Sequence, residues 1–394
     1  MWEKCKSLQS DLVALRRQFH QIPELGEQLP ETQALLCSEL DRMGIPYKKN
    51  TLDSGVIALI SGRKPGKVIA LRADMDGLPI KEATGLPFAS KHDGCMHACG
   101  HDTHITMLLG AARVLNEHKA DLKGTVKLIF QTGEETCTGS QIMLKEGVMK
   151  DPHVDAVFGM HIGTILGPDI PSGKLIVTPG CCMASYDHFV LRVKGKGCHG
   201  STPEKGVDPI VVASNIVLAL EEIIAREVPS TKASVVTIGR IHGGVAYNAI
   251  PGEVEIEGTT RALEESVRQY LAKRIGEIAQ GIAASYRAEC DYKMIWGAAP
   301  VVNDNEMAKL AADAAVKVVG KDDVITSVPE PNMGGEDFAF YLNECPGAFM
   351  FLASSNREKH TDYPHHNPHF NVDEDVLWKG SAVFVSIVED YLGR

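Results

Sequence analysis

The sequence has no excess of basic residues. Its 394 residues carry 40 Lys and Arg against 51 Asp and Glu, a net charge of −11 with histidine neutral. With no basic run to offset that balance, nucleic acid and anionic membrane surfaces are poor candidates for partners. Long apolar runs are missing too. Nothing approaches the ~18 consecutive apolar residues of a membrane span, and the segment Ile210 to Leu220 is broken by Ser214 and Asn215. Met1 to Ser10 lacks the apolar stretch of a secretory signal. Ten cysteines are too sparse for a disulfide scaffold; without an export signal, reduced thiols in a cytoplasm are expected. There is no G-x-S-x-G elbow, no P-loop, and no G-x-G-x-x-G opening a helix after a strand.

What is present suits a large core. At roughly 150 residues per domain the chain holds two or three domains, and a chain of this length needs no metal or disulfide to hold its fold. Residues 8–21 and 30–43 show helix-period apolar positions, the second run (Leu35, Leu36, Leu40, Met43) closed by Gly44. Residues 56–60 and 68–71 read as a strand pair around the turn Gly62 to Gly66. A helix over 103–118 follows, with Asp102 as its N-cap, then a strand over 125–130, a short helix over 140–147 and a strand over 154–160. Short apolar strands alternating with helices predict an α/β fold, a mainly parallel sheet with helices on both faces. Near residue 185 the pattern changes. Strand 188–193, helix 209–226, strands 234–238 and 254–260, helix 264–284 and strand 288–296 make β-α-β-β-α-β, the split-βαβ or ferredoxin-like order. Helix 303–319, strand 348–352 and helix 376–391 complete the chain. The expected organisation is a larger domain of 1–183 and 298–394 with an α+β domain, 184–297, inserted.

Histidine is concentrated. His92, His97, His101 and His104 fall within 13 residues, and His360, His365, His366 and His369 within 10, so eight of the 15 histidines occupy two short windows. Imidazole is the commonest ligand for zinc-like ions. Taken singly, each is more often a surface or hydrogen-bonded histidine; the clustering reverses that reading. Cys99 and His101 lie two apart before a helix, so an extended segment turns both side chains to one face. Thiolate with imidazole suits a borderline-soft divalent ion, whereas a lone cysteine would read as a small buried hydrophobe.

Adjacent carboxylates in a loop are usually just solvated, yet Glu134 and Glu135 follow directly on the strand ending at Phe130. Ligand sites in open α/β sheets lie outside the carboxyl ends of the strands. Asp74 and Asp76, then Glu134 and Glu135, His161 and later His366 each come after such an end. This set supports metal-assisted hydrolysis: one carboxylate ligates while its neighbour takes a proton from water, and no side-chain nucleophile is required. In the inserted segment His199 sits in a turn before a helix, while Asn248 and Arg261 bracket a strand. On their own, Asn248 reads as a turn cap and Arg261 as a surface cation.

Seven stretches are highly specific together. They are Arg72-Ala-Asp-Met-Asp76, His97-Ala-Cys-Gly-His-Asp102, Gly133-Glu-Glu135, Gly159-Met-His161, Asn248-Ala-Ile-Pro251, Gly334-Gly-Glu-Asp-Phe338 and His366-Asn-Pro-His-Phe370. On them the chain resembles, over nearly its whole length, the M20 peptidase family of metal-dependent amidohydrolases. More narrowly it resembles the branch of N-acyl-amino-acid amidohydrolases, hippurate hydrolases and plant auxin-conjugate hydrolases. The resemblance implies two divalent metal ions per subunit, zinc or manganese first, with cobalt or nickel also able to bind. Their ligands would be Cys99, His101, Glu135, His161 and His366. It makes Glu134 the general base, Asp76 a carboxylate that orients a ligand, and the inserted domain a lid that also forms a homodimer or a tetramer. His199, with Asn248 in the same lid, is expected to reach the partner subunit's site and stabilise the tetrahedral oxyanion. Arg261 and the backbone of Gly334 and Gly335 are expected to hold the substrate's carboxylate.

The implied reaction splits the amide of an N-acyl-L-amino acid into a carboxylate and a free amino acid; a dipeptidase or aminopeptidase of the same family is the alternative. A dinuclear phosphoesterase would want Arg or Lys clusters that are missing near these motifs. A non-catalytic relative would have lost Glu134 or a ligand. Two stretches depart from the branch. Cys198-His199-Gly200-Ser201-Thr202 stands where glycine, histidine and small alanines are usual. His365 and His369 flank His366, leaving three histidines open for one ligand position.

Overall fold

Helices α1 (Gln9–His20) and α2 (Pro30–Met43) lead the chain; α2 starts on a proline and ends on Gly44 in the left-handed conformation. Strands β1 (Tyr47–Lys49), β2 (Val56–Ser61) and β3 (Lys64–Asp74), helix α3 (His101–Glu117), strand β4 (Lys123–Gln131), helix α4 (Gly139–Lys145) and strands β5 (Ala156–Gly163), β6 (Leu175–Ile176) and β7 (Gly180–Met183) follow. Next come β8 (Asp187–Lys194), β9 (Cys198–His199), α5 (Pro209–Glu222), β10 (Ser234–Gly243), β11 (Ala249–Ile250), β12 (Glu253–Ala262), α6 (Glu265–Ser285) and β13 (Glu289–Trp296). The last elements are β14 (Val301–Asn303), α7 (Asn305–Val319), β15 (Val324–Ile325), α8 (Ala339–Leu342), β16 (Gly347–Ala353) and α9 (Leu377–Leu392). This computed structural model describes residues 1–328 and 331–393. The chain divides into two units: a larger one of Met1–Cys182, Val302–Asn332 and Asp337–Arg394, and a smaller one of Met183–Val301 and Met333–Glu336.

In the larger unit eight strands form one sheet in the order β1-β2-β4-β3-β5-β16-β6-β15. Its centre, β4-β3-β5-β16, is parallel, while β1-β2-β4 and β16-β6 are antiparallel. Every residue of β5 and β16 is buried, as a sheet covered on both faces requires. Helix α3 is buried over nearly its whole length and packs on α1, α9 and β3. The sequence expectation of a large, mainly parallel sheet with helices describes this unit.

Two local expectations fail. Residues 56–60 and 68–71 do not pair, because β4 lies between β2 and β3. The N–H of Gly62 donates to the carbonyl of Gly124 at 2.8 Å, and a Cβ on Gly62 would lie 2.4 Å from the carbonyl oxygen of Leu122. Gly62 and Arg63, the two residues between β2 and β3, therefore cross the start of β4 instead of closing a hairpin. Nor does Asp102 cap α3. The helix begins at His101, after Gly100 at φ 90°, and the Asp102 carboxylate receives the Arg16 Nε–H at 2.7 Å, with His20 Nδ1 also at 2.7 Å. A buried cation outcompetes helix N–H groups for a buried anion.

The smaller unit holds a four-stranded sheet, β10-β12-β8-β13, with every neighbouring pair antiparallel. Alternate residues of β12 are buried, Val254 and Ile256 among them, which leaves Glu253, Glu255 and Glu257 on the other face. Helices α5 and α6 pack on each other and against β12, around Phe189, Leu191, Ile216, Leu220, Leu271 and Ile275. Among the described residues no helix is long and apolar enough to cross a membrane.

Candidate metal centre

The donors of the larger unit gather at one rim of its sheet. Strand β3 ends in Asp74, β4 ends three residues before Glu134, and β5 carries His161 near its end. Cys99 and His101 flank Gly100, whose positive φ suits glycine and whose missing Cβ would meet Ile162 Cγ2 at 3.1 Å. His366 also lies in the left-handed region, at φ 60°, unusual for a residue with a side chain; its N–H donates to the Ala98 carbonyl at 2.9 Å.

Ligand atoms of Cys99, His101 and His161 lie within 4.8 Å of one another, as do those of Cys99, Glu135 and His366 and those of His101, Glu134 and Glu135. Cys99 Sγ is 3.4 Å from His161 Nε2, and Glu135 Oε2 is 3.4 Å from His366 Nε2. His101 Nε2 is 3.9 Å from Glu134 Oε2 and from Glu135 Oε1. The structure thus brings the five sequence-predicted ligands and Glu134 together, with the sulfur common to two of the sets.

Asp76 organises this group from behind. Its two oxygens accept the backbone N–H groups of Glu134 and Glu135 at 3.1 Å each, and its carbonyl accepts from His101 Nδ1 at 2.8 Å. Sequence reasoning counted His104 only as one of a histidine cluster and gave no role to Arg72 or Asp337. His104 uses both ring nitrogens, Nδ1 with Asp74 and Nε2 accepting the Ile162 N–H at 2.9 Å. Arg72 donates to Asp74 at 2.6 Å and to Asp337 at 2.7 Å, all three side chains buried. The one available signal was the i, i+2 spacing of Arg72 and Asp74, which puts both on one face of a strand.

The electrostatics call for a cation. His101 Nε2 and Glu135 Oε1 are buried with no hydrogen-bond partner among the described residues, a costly state for polar atoms. Burial works against a charged ring, yet Asp74, Asp76 and Glu135 push His101 up to about 10. Burial, then Glu135, Glu134 and Asp74, hold the Cys99 thiol well above its ordinary value. A divalent ion would reverse both effects, and a mixed sulfur, nitrogen and oxygen donor set suits a borderline-soft one. The residues present fit the metal.

Residues 70–390 match peptidase family M20/M25/M40. The chain belongs to this family. M20 relatives include the N-acetyl-L-cysteine deacetylase of Bacillus subtilis (strain 168), 40% identical over 375 residues, 95% of this chain and 86% of that protein. The IAA-amino acid hydrolase ILR1-like 2 of Arabidopsis thaliana is 38% identical over 385 residues, 97% of this chain and 85% of that protein. The crystal structure of the Bacillus subtilis YXEP protein, a dinuclear metal binding peptidase from the M20 family, is similar with a TM-score of 0.83 at 37% identity, over 98% of this chain and 99% of that one.

The remaining candidates of this M20 chain lie in its smaller unit, in two groups. Strand β9 pairs with β11, Ala249 opposite His199, and the Gly200 N–H donates to the Asn248 carbonyl at 2.8 Å. The exposed His199 ring accepts the Ser201 N–H at Nδ1, 3.2 Å away, which leaves its proton on Nε2. Arg261 lies over the Tyr186 ring, 4.4 Å from its centroid, and donates to the Thr260 carbonyl at 3.0 Å. A Cβ on Gly335 would lie 2.6 Å from Tyr186 Cβ, so the same tyrosine backs Arg261 and requires a glycine at 335; Gly334 beside it is exposed. Tyr186 was missed, since a lone aromatic in a loop carries no sequence signal.

Proposed function

We propose that this M20 enzyme hydrolyses the amide bond of N-acyl-L-amino acids, releasing a carboxylate and a free amino acid. The observation that carries this reading is the gathering of Cys99, His101, Glu135, His161 and His366 at one sheet rim, with Glu134 Oε2 3.9 Å from His101. These five would hold two divalent cations, zinc or manganese, with cobalt or nickel able to substitute. When bound, the cations polarise the scissile carbonyl and acidify water. Asp76 ties base and ligands together, because one carboxylate holds the backbone of both glutamates. Glu134 takes a proton from water as the water oxygen bonds to the amide carbon. When the C–N bond breaks, Glu134 returns that proton to the departing nitrogen.

In this reading 1–183 and 298–394 form the catalytic domain, and 184–297 is the lid and the dimer-forming domain. His199, with its proton on Nε2, serves as donor to the tetrahedral oxyanion, and Asn248 belongs to the same part of the lid. Arg261 and the backbone of Gly334 and Gly335 take the substrate's carboxylate. A homodimer, or a tetramer built from it, is supported by strand β10 at the end of its sheet and by apolar exposure: Val245 and Tyr247 are fully exposed and Leu218 is 72% exposed. Ten free cysteines suit a reducing compartment, which favours the cytoplasm.

The test is a panel of N-acetyl, N-benzoyl and indolylacetyl amino acids beside free-amine dipeptides, assayed with metal-stripped and reloaded protein. Stripped protein is expected to turn over none, and added divalent ion to restore the N-acyl substrates. Glu134→Gln is expected to keep its metal and lose about 100-fold or more in kcat. Turnover confined to free-amine dipeptides, or a full rate in Glu134→Gln, would overturn the reading.

A further inference from the structure

Two imidazoles flank the Cys99 sulfur, and the backbone decides what each presents to it. His161 Nε2 lies 3.4 Å from Sγ, and its Nδ1 lies 2.8 Å from the carbonyl oxygen of Ile162. A carbonyl can only accept, so the His161 proton sits on Nδ1 and Nε2 offers the sulfur's neighbourhood a lone pair. His365 Nδ1 lies 3.6 Å from the same sulfur, and its Nε2 lies 3.1 Å from the N–H of Thr164. A backbone N–H can only donate, so the His365 proton sits on Nδ1 and faces Sγ. One ring is built to ligate and the other to donate.

The seat of His365 is shaped for this. Its ring packs at a tilt against Phe370, centroids 4.6 Å apart, and meets the His161 ring edge-on at 5.1 Å. Gly163, at φ 121°, leaves the room: a Cβ there would lie 2.3 Å from His365 Nε2. The neighbouring histidines point to other tasks. His366 Nε2 approaches Glu135, and His369 packs at a tilt against Tyr363, centroids 5.4 Å apart.

We propose that His365 is a positioning residue of the metal centre: it does not ligate, but donates its Nδ1–H to the Cys99 sulfur. That bond fixes the direction of the thiolate and draws electron density from it, so it tunes how strongly the sulfur donates. The proposal rests on the reading of Cys99 as a ligand.

Cobalt(II)-loaded protein tests both parts through the sulfur-to-cobalt charge-transfer absorption in the near ultraviolet. The comparison is the parent, His365→Phe, which fills the ring space without a donor, and His365→Asn, whose amide N–H stands near the place of Nδ1. All three are expected to bind the same number of cobalt ions. The band is expected at longer wavelength in His365→Phe, because a thiolate without its hydrogen bond is easier to oxidise, and to shift less in His365→Asn. Reduced cobalt content in either variant overturns the proposal, by making His365 a ligand or a mere prop of the fold. A band unmoved in His365→Phe, or moved equally in both variants, overturns it as well. A parent with cobalt bound but no charge-transfer band defeats the assignment of Cys99 as a ligand, and the proposal with it, so the two failures are told apart.

Discussion

Lys127 sits in the middle of β4 with no exposed surface, its ammonium donating to the carbonyls of Val148 and of Pro152, the latter at 2.8 Å. Burial pushes it down to about 8, from 10.5 in the open chain. The sign follows from proton counting. Between about pH 8 and pH 10.5 the unfolded chain holds a proton that the folded one has released, so this lysine's contribution to stability rises with pH across that window. Urea unfolding of the parent and Lys127→Met at pH 7.5 and pH 10 is expected to show the parent gaining relative to the variant at the higher pH. A parent that gains nothing on the variant between the two pH values, or that loses ground to it, would mean Lys127 stays charged in the fold. Residue-scale facts of this kind were poorly legible. The strand over 125–130 was readable from its apolar neighbours, but nothing in the spacing says that its lysine is capped by two carbonyls more than 20 residues away. Asp102 shows the same limit: helix-start position suggested a cap, and a buried Arg16 took the carboxylate.

Within single elements, periodicity was a better guide. Helix α6 was expected over 264–284 and runs Glu265–Ser285. Its two interior glycines face different surroundings. A Cβ on Gly276 would lie 2.6 Å from Tyr292 Cδ1, whereas nothing lies within 4 Å of one on Gly281. Gly276→Ala is therefore expected to destabilise by roughly 1–3 kcal/mol through overpacking. Gly281→Ala is expected to stabilise by up to about 1 kcal/mol through helix propensity. Chemical denaturation of the two variants reads both, and equal signs would refute the packing argument. Two-residue strands such as β6 and β15 escaped, since a period cannot be read from two residues. The β2–β3 hairpin reading failed for a related reason: a segment holding Gly62, Pro65 and Gly66 permits a tight turn, but only β4, far along the chain, decides whether a strand comes between.

For the whole molecule, the donor set ties stability to metal. An ion that binds only the folded chain raises stability by about 2.7 kcal/mol when free metal stands at 100 times its Kd. Chelator-treated protein is expected to melt below the reloaded protein, and Cys99→Ala to narrow that difference; calorimetry that finds no difference in the parent would deny a structural part for the ions. The sequence by itself determined the long elements, the mainly parallel sheet and the identity of the donor types. These depend on local periodicity and on which residues stand at strand ends, and both are written along the chain. Only the tertiary structure decided the order of strands, the partner of Asp102, the tautomers of His161 and His365 and the common position of Cys99. Those depend on backbone groups brought in from distant segments, where a carbonyl or an N–H at hydrogen-bonding distance selects one chemical state of a side chain and no neighbouring residue announces it.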